Sequence, residues 1–170
     1  MTVRASPLPA ALAIGGLWLP LPAAAVTEPP SDLTGKVAVI ATFTSRDSFS
    51  NEYRYEVSVR NIGSDVIAGD SLLLVLDRVI NVGGGDREPL KNEPLLDRME
   101  ILGADGETSD GRPFFRLTVD GGQDLMPQTE SQPVTVRLRN RDYVQIFTPA
   151  FHVIGARRIP RAAKAPEPLL

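Results

Sequence analysis

The stretch from Tyr53 to Asn81 constrains the fold of this chain more than any other. Tyr53, Tyr55, Val57 and Val59 alternate with Arg54, Glu56, Ser58 and Arg60. Successive side chains of an extended strand point to opposite faces, so this segment reads as a strand with one buried face and one wet face. Asn61-Ile62-Gly63-Ser64-Asp65 then supplies turn formers. Leu72 to Leu76 is apolar on both faces and too short for an ordinary helix. The simplest expectation is two antiparallel strands of one sheet whose inner face needs a second layer.

The rest of the chain carries the same signals. Lys36 to Thr44, Met99 to Leu102, Phe114 to Val119 and Ser131 to Asn140 read as strands. Tyr143 to Ile154 reads as one strand interrupted by Pro149, or as two short ones. Val79 and Ile80 extend the strand that holds Asp77 and Arg78, a pair expected at solvent or at a bulge. Turn formers recur roughly every 8–12 residues, and no alternation of helix and strand appears. The expected fold is all-β: a two-sheet antiparallel β-sandwich of about seven strands. It occupies 36–154. A polar lead-in (26–35) precedes it, and a basic, Pro/Ala-rich tail (155–170) follows as a flexible end.

Residues 1–25 have the layout of a secretory signal peptide. Arg4 is the one charge, Ala10 to Leu21 is apolar but for two glycines and a proline, and Ala23-Ala24-Ala25 offers small residues for cleavage. The expected location is secreted, periplasmic or cell-surface, with no membrane span after cleavage. Losing that segment would take the formal charge from −3 to −4 and remove Trp18, the only Trp. The acidic balance gives no support to nucleic-acid binding, which needs a basic face. Cysteine is absent, which excludes thiolate catalysis, Cys-ligated zinc and Cys-attached haem.

Three segments carry a resemblance: YRYEVSVRNIGSDVIAGDSLLLVLDRV (53–79), ILGADGETSDGRPFFRL (101–117) and ESQPVTVRLRN (130–140). They resemble immunoglobulin-like or fibronectin-III-like modules of bacterial exported and cell-surface proteins. The Tyr-x-Tyr-x-Val-x-Val strand and its Asn-x-Gly turn look like the first block of such modules. Asp105-Gly106, Asp110-Gly111 and Phe114-Phe115 look like a middle block. Met126-Pro127-Gln128 departs from the late Pro-Gly turn of the pattern. The resemblance implies an immunoglobulin-like sandwich serving as a spacer, adhesion element, binding module or accessory part, a fold-level analogy.

Chemistry-bearing residues are sparse. His152 is the only histidine, so no multi-histidine metal site can form, and no Gly-x-Ser-x-Gly elbow accompanies it. Paired carboxylates could serve glycoside hydrolysis, but Asp86, Glu88, Asp105, Glu107 and Asp110 all sit in Gly-rich loops, where solvated turns are the rule. Asp105, Glu107 and Asp110 are the calcium candidates, with Ser109 as a further oxygen, although the EF-hand spacing fails. Gly83-Gly84-Gly85 lacks the Lys-Ser/Thr of a phosphate loop. Tyr53 and Tyr55 fit core positions better than surface anchors.

These readings point to a non-enzymatic accessory or structural protein acting by protein–protein contact, in which sheet edges can accept a partner's strand. The alternative is a carbohydrate-binding module, calcium-assisted or not, using the loops at Val82 to Pro94 or Ala104 to Pro113. A small hydrolase would have to use His152.

Overall fold

The computed structural model describes residues 25–79, 95–143 and 145–160. The leader up to residue 24, the Gly83–Gly85 loop and the tail from 161 onward lie outside them. The described residues form twelve strands in three antiparallel sheets.

The first sheet has four strands in the order β3-β4-β10-β7, namely Val37–Asp47, Glu52–Asn61, Val134–Asn140 and Met99–Leu102. The second has five in the order β2-β11-β6-β9-β8, namely Ser31–Asp32, Ala150–Gly155, Leu73–Arg78, Pro113–Arg116 and Gly106–Glu107. The third is small, in the order β1-β12-β5, from Ala25–Thr27, Arg157–Pro160 and Val66–Ile67. The two-sheet, seven-strand immunoglobulin-like sandwich expected from the sequence is therefore incorrect. Five strands make up the difference: β1, β2, β5 and β8, of two or three residues and too short to show a period, and β12, in the segment expected to be a flexible tail.

A second correction concerns the organising stretch. β4 and β6 do not share a sheet. After the Asn61–Asp65 turn the chain adds β5 to the small sheet and makes a 3-10 turn at Gly69–Ser71. It then enters the five-stranded sheet as β6. Asn61, buried, fixes the turn. Its amide donates to the carbonyls of Asp65 (2.8 Å) and Leu125 (3.1 Å), and its Oδ1 accepts from the Gly63 N–H (3.0 Å). Gly69 packs so closely on the Gln123 carbonyl that no Cβ fits there.

The alternation in β4 has its expected consequence. Tyr53, Tyr55, Val57 and Val59 are buried in one cluster with Val136 and Leu138 of β10, Leu74 and Leu76 of β6, and Phe115 of β9. Full burial of each such side chain contributes about 1.5–3 kcal/mol. Met99–Leu102 forms a strand within the bounds read from the sequence. β6 ends at Arg78, with a bulge opposite it in β11 between Ala150 and Phe151.

The lead-in and tail are partly paired with each other. β1 lies against β12 in the register Ala25↔Pro160 to Thr27↔Arg158. Two arginines hold this sheet down. Arg157 meets Glu28 at 2.7 Å and Asp65 at 2.8 Å. Arg158 donates to both Asp124 oxygens and to Thr27 Oγ1 at 2.9 Å. The Arg158 hydrogen bonds, with the Gly69 N–H, hold the Asp124 carboxyl below its ordinary pKa. A depressed carboxyl contributes stability above its unfolded value and loses it as pH falls through the folded one.

Candidate interaction surface

Among the described residues, four of the exposed large apolar side chains are aromatic: Phe43, Phe49, Tyr143 and Phe147. Phe43 lies within β3, Phe49 in the hairpin between β3 and β4, and Tyr143 on the connection after β10. Phe49, at the hairpin tip, is 93% exposed.

The tip is tightly held. Asp47 Oδ1 accepts from the Phe49 N–H (2.9 Å) and Asp47 Oδ2 accepts from Ser50 Oγ (2.7 Å). The Ser50 hydroxyl first and the Phe49 N–H second keep the Asp47 carboxyl below its ordinary pKa. Those bonds persist above the ordinary carboxylate value and fail as pH falls through the depressed one. Asn51 adopts a left-handed backbone (φ 49°), a conformation that Asn tolerates better than most residues. Its buried side chain accepts from Arg46 Nε (3.0 Å) and Nη2 (2.6 Å), and donates to the Asn140 carbonyl at 2.7 Å. The Asn140 N–H donates in turn to the Asn51 carbonyl at 3.1 Å.

These bonds set the connection after β10 beside the tip. Tyr143, 63% exposed, sits there in a left-handed conformation (φ 57°) with its N–H on the Asn140 carbonyl at 3.3 Å. Arg141 donates to Glu100 (3.0 Å), Arg139 joins the same carboxylate (3.2 Å), and Arg98 meets Asp142 (2.8 Å). The Arg141 hydrogen bond is the first cause that keeps Glu100 below its ordinary pKa. Phe43 leans edge-on against Tyr55, with centroids 5.6 Å apart, and lies 6.4 Å from Tyr53. Arg46 stacks over Tyr53 at 5.0 Å. Phe43 and Arg46 thus lie on the core side of the sheet, while Arg139 and Glu100 lie on its other face and Phe49 stands beyond both at the tip.

The residues singled out from the sequence lie elsewhere. Asp105 Oδ2 accepts from the Arg116 N–H (2.6 Å). Asp110 accepts from Thr108 Oγ1 (2.5 Å) and pairs with Arg112 Nε (3.0 Å). Both therefore organise the β8–β9 hairpin. Glu107 lines the mouth of an open cleft of about 410 Å³ whose other walls include Leu96, Met99, Ile101, Ala104 and Pro113. Among the described residues no three carboxylate, histidine or cysteine groups are arranged to hold a metal ion. His152 Nδ1 lies 3.6 Å from Asp77 Oδ1, and the same carboxylate is engaged by Arg112. That arrangement ties β11 and β6 to the β8–β9 hairpin. Tyr53 and Tyr55 are core residues, as their alternation indicates, and burial pushes the Tyr55 hydroxyl up to about 12. The loop at Val82 to Pro94 lies outside the described residues.

Ser45 to Asn51 reads from the sequence as no more than a polar turn, so the tip was missed. The available signal was Phe49 itself, a lone aromatic in the run Ser-Arg-Asp-Ser-Phe-Ser-Asn between two strands. Comparison of the chain with family models, with curated proteins and with solved structures gives no match.

Proposed function

We propose that this protein is a non-enzymatic accessory or structural component of an exported or cell-surface assembly, acting by protein–protein contact through the β3–β4 tip. The observation that carries the reading is Phe49, almost wholly in solvent on a turn fixed by Asp47 and Asn51. An apolar ring with no packing role gains free energy only when something covers it. A turn already ordered loses little entropy on binding. Tyr143, also largely exposed, stands on the connection that the Asn51–Asn140 bonds hold beside the tip. The export part of the reading rests on the leader-like residues 1–25. Among the described residues no helix is long and apolar enough to cross a membrane.

The test is affinity capture from the native envelope with tagged wild-type protein and with Phe49→Ser. The variant removes no buried contact, so its unfolding free energy should stay within about 0.5 kcal/mol of wild type. Recovery of a stoichiometric protein partner should fall about tenfold or more, as expected for a central aromatic anchor. Equal recovery by both proteins would remove the tip from the contact.

A further inference from the structure

β3 carries an open edge. Among the described residues it is the end strand of its sheet, with β4 beside it and no strand on its other side. The Lys36 carbonyl accepts from the Ile62 N–H at 3.0 Å, and bonded and non-bonded pairs alternate along an antiparallel ladder. Ala38, Ile40 and Thr42 therefore bond to Arg60, Ser58 and Glu56. Val39, Ala41 and Phe43 aim their N–H and C=O groups away from β4. Two features bound the open stretch. At one end the outward N–H of Val37 is taken by the Leu33 carbonyl at 3.2 Å. At the other the register shifts between Phe43 and Ser45. Ile40 is midway between Val37 and Phe43.

Natural edges are blunted by shortness, charge, proline or bulges. The other edge strands are short: β2, β5 and β8 have two residues each, β1 has three, and β7 has four including Glu100. β3 has eleven, with no charge or proline from Val37 to Ser45. It also leaves a large apolar side chain uncovered on each face. Ile40, on the outer face, is 39% exposed, and Phe43, on the core side, is 52% exposed.

We infer that β3 pairs with β3 of a second copy of this chain, antiparallel about a two-fold axis at Ile40, joining two four-stranded sheets into one of eight. The edge's own sequence selects this occupant. A two-fold antiparallel pairing sets one residue opposite itself. With Ile40 there, Val39 of each copy faces Ala41 of the other, and every outward N–H and C=O of these residues is met. Ile40 packs on its own counterpart across the outer face. On the core side Phe43 comes opposite Val37, and Ala38 comes opposite Thr42 on the outer face. The first charge reached, Lys36, meets Thr44. The neighbouring registers fail. Centred on Val39, the pairing needs the Val37 N–H that Leu33 holds and leaves Phe43 opposite Gly35. Centred on Ala41, it opposes Lys36 to Arg46. Centred on Thr42, it runs across the shift at Phe43 and sets Val37 and Ala38 opposite Asp47 and Arg46. One register thus meets the free groups, covers both exposed apolar side chains and opposes no like charges. A strand that fits this edge must be apolar at alternate positions and uncharged between them, which is the pattern of β3 itself. The pairing is independent of the contact at the Phe49 tip.

The chain has no cysteine, so a single introduced thiol reports the register. Ile40 opposite Ile40 is a non-bonded pair with Cα atoms about 4.5 Å apart, within reach of a disulfide. In sedimentation, the full-length wild type should pass from monomer to dimer between about 1 μM and 1 mM. Ile40→Cys, oxidised with glutathione disulfide at a concentration where the wild type is dimeric, should give a covalent dimer. Ala38→Cys and Thr42→Cys should each stay uncross-linked alone and cross-link with one another when mixed. Ala41→Pro deletes an outward N–H without touching the bonds to β4, and should leave the chain monomeric. Should that variant fail to fold, Ile40→Lys opposes two like charges at an exposed position and should weaken dimerisation about tenfold or more. A wild type that stays monomeric throughout the range would overturn the inference, including the case in which β3 becomes protected only by a different protein. Self-cross-linking of Ala38→Cys as ready as that of Ile40→Cys, or a dimer indifferent to Ile40→Lys, would overturn it as well. Phe49-dependent capture surviving such a result would leave the contact reading standing and remove only the paired strands.

Discussion

Replacing Phe115 by alanine is expected to cost about 3–5 kcal/mol of unfolding free energy, the largest loss for any single truncation proposed for this protein. Phe115 is completely buried, pairs with Leu74 across β9 and β6, and belongs to the cluster that Tyr55, Val57 and Leu138 enter from the four-stranded sheet. A void there cannot fill cheaply, because its walls are strands fixed by their ladders. Domains commonly have only 5–15 kcal/mol in total, so the variant should lose a large share of it. Urea unfolding followed by far-UV circular dichroism would show a lower midpoint, and the melting temperature should drop by roughly 6–20 °C. Phe114, the next residue, faces the other way over Gly106 and is only partly buried. Its alanine variant should lose clearly less. Equal losses at the two positions would contradict the assignment of inner and outer faces in β9.

The second large effect is expected at Asn51. Asn51→Ala removes the acceptor of two part-buried Arg46 bonds and the donor of a buried bond to the Asn140 carbonyl. It also forces alanine into a left-handed conformation, which costs about 1–2 kcal/mol by itself. With three hydrogen bonds lost as well, the total should be about 2–4 kcal/mol. Asn51→Gly separates the parts, since glycine accepts the backbone but restores no bond. It should recover about 1 kcal/mol of the loss. Both variants should also weaken partner capture, because Phe49 is then carried on a loosened turn. If Asn51→Ala were as stable as wild type, the rigidity claimed for the tip would be wrong.

How much of this was legible in the sequence depended on strand length and on what turns were made of. β4 was readable because four apolar and four polar side chains alternate without a break from Tyr53 to Arg60. β7 was readable because Arg98 and Glu100 alternate with Met99 and Ile101 in an otherwise all-β chain. The third sheet was not readable. Ala25–Thr27 and Val66–Ile67 are too short to show a period, and Pro29, Pro30 and Pro160 argue locally against regular structure. What orders them is long-range: Arg157 and Arg158 reaching Glu28, Asp65 and Asp124. The crossing from β4 to β6 was hidden for the same reason, since apolar runs separated by a turn look like a hairpin until β5 and the 3-10 turn are seen between them. At the candidate surface, the uncharged run in β3 was visible, but its place at the edge of the sheet was not. The acidic loop drew attention because Asp105, Glu107 and Asp110 are close in sequence, yet Asp105 and Asp110 are engaged in fastening a hairpin.

Residue-resolved amide exchange on the full chain, dilute, concentrated and in the complex recovered by capture, tests the open edge and the tip together. In dilute protein Val39, Ala41 and Phe43 should exchange quickly while Ala38, Ile40 and Thr42 are slow, since only the latter bond to β4. On concentration Val39 and Ala41 should become protected, and in the complex the tip around Phe49 should become protected as well. Uniform protection along β3 in dilute protein would mean that the edge is already occupied. Protection in the complex confined to the β8–β9 hairpin would place the contact on an edge of the five-stranded sheet and contradict the β3–β4 assignment.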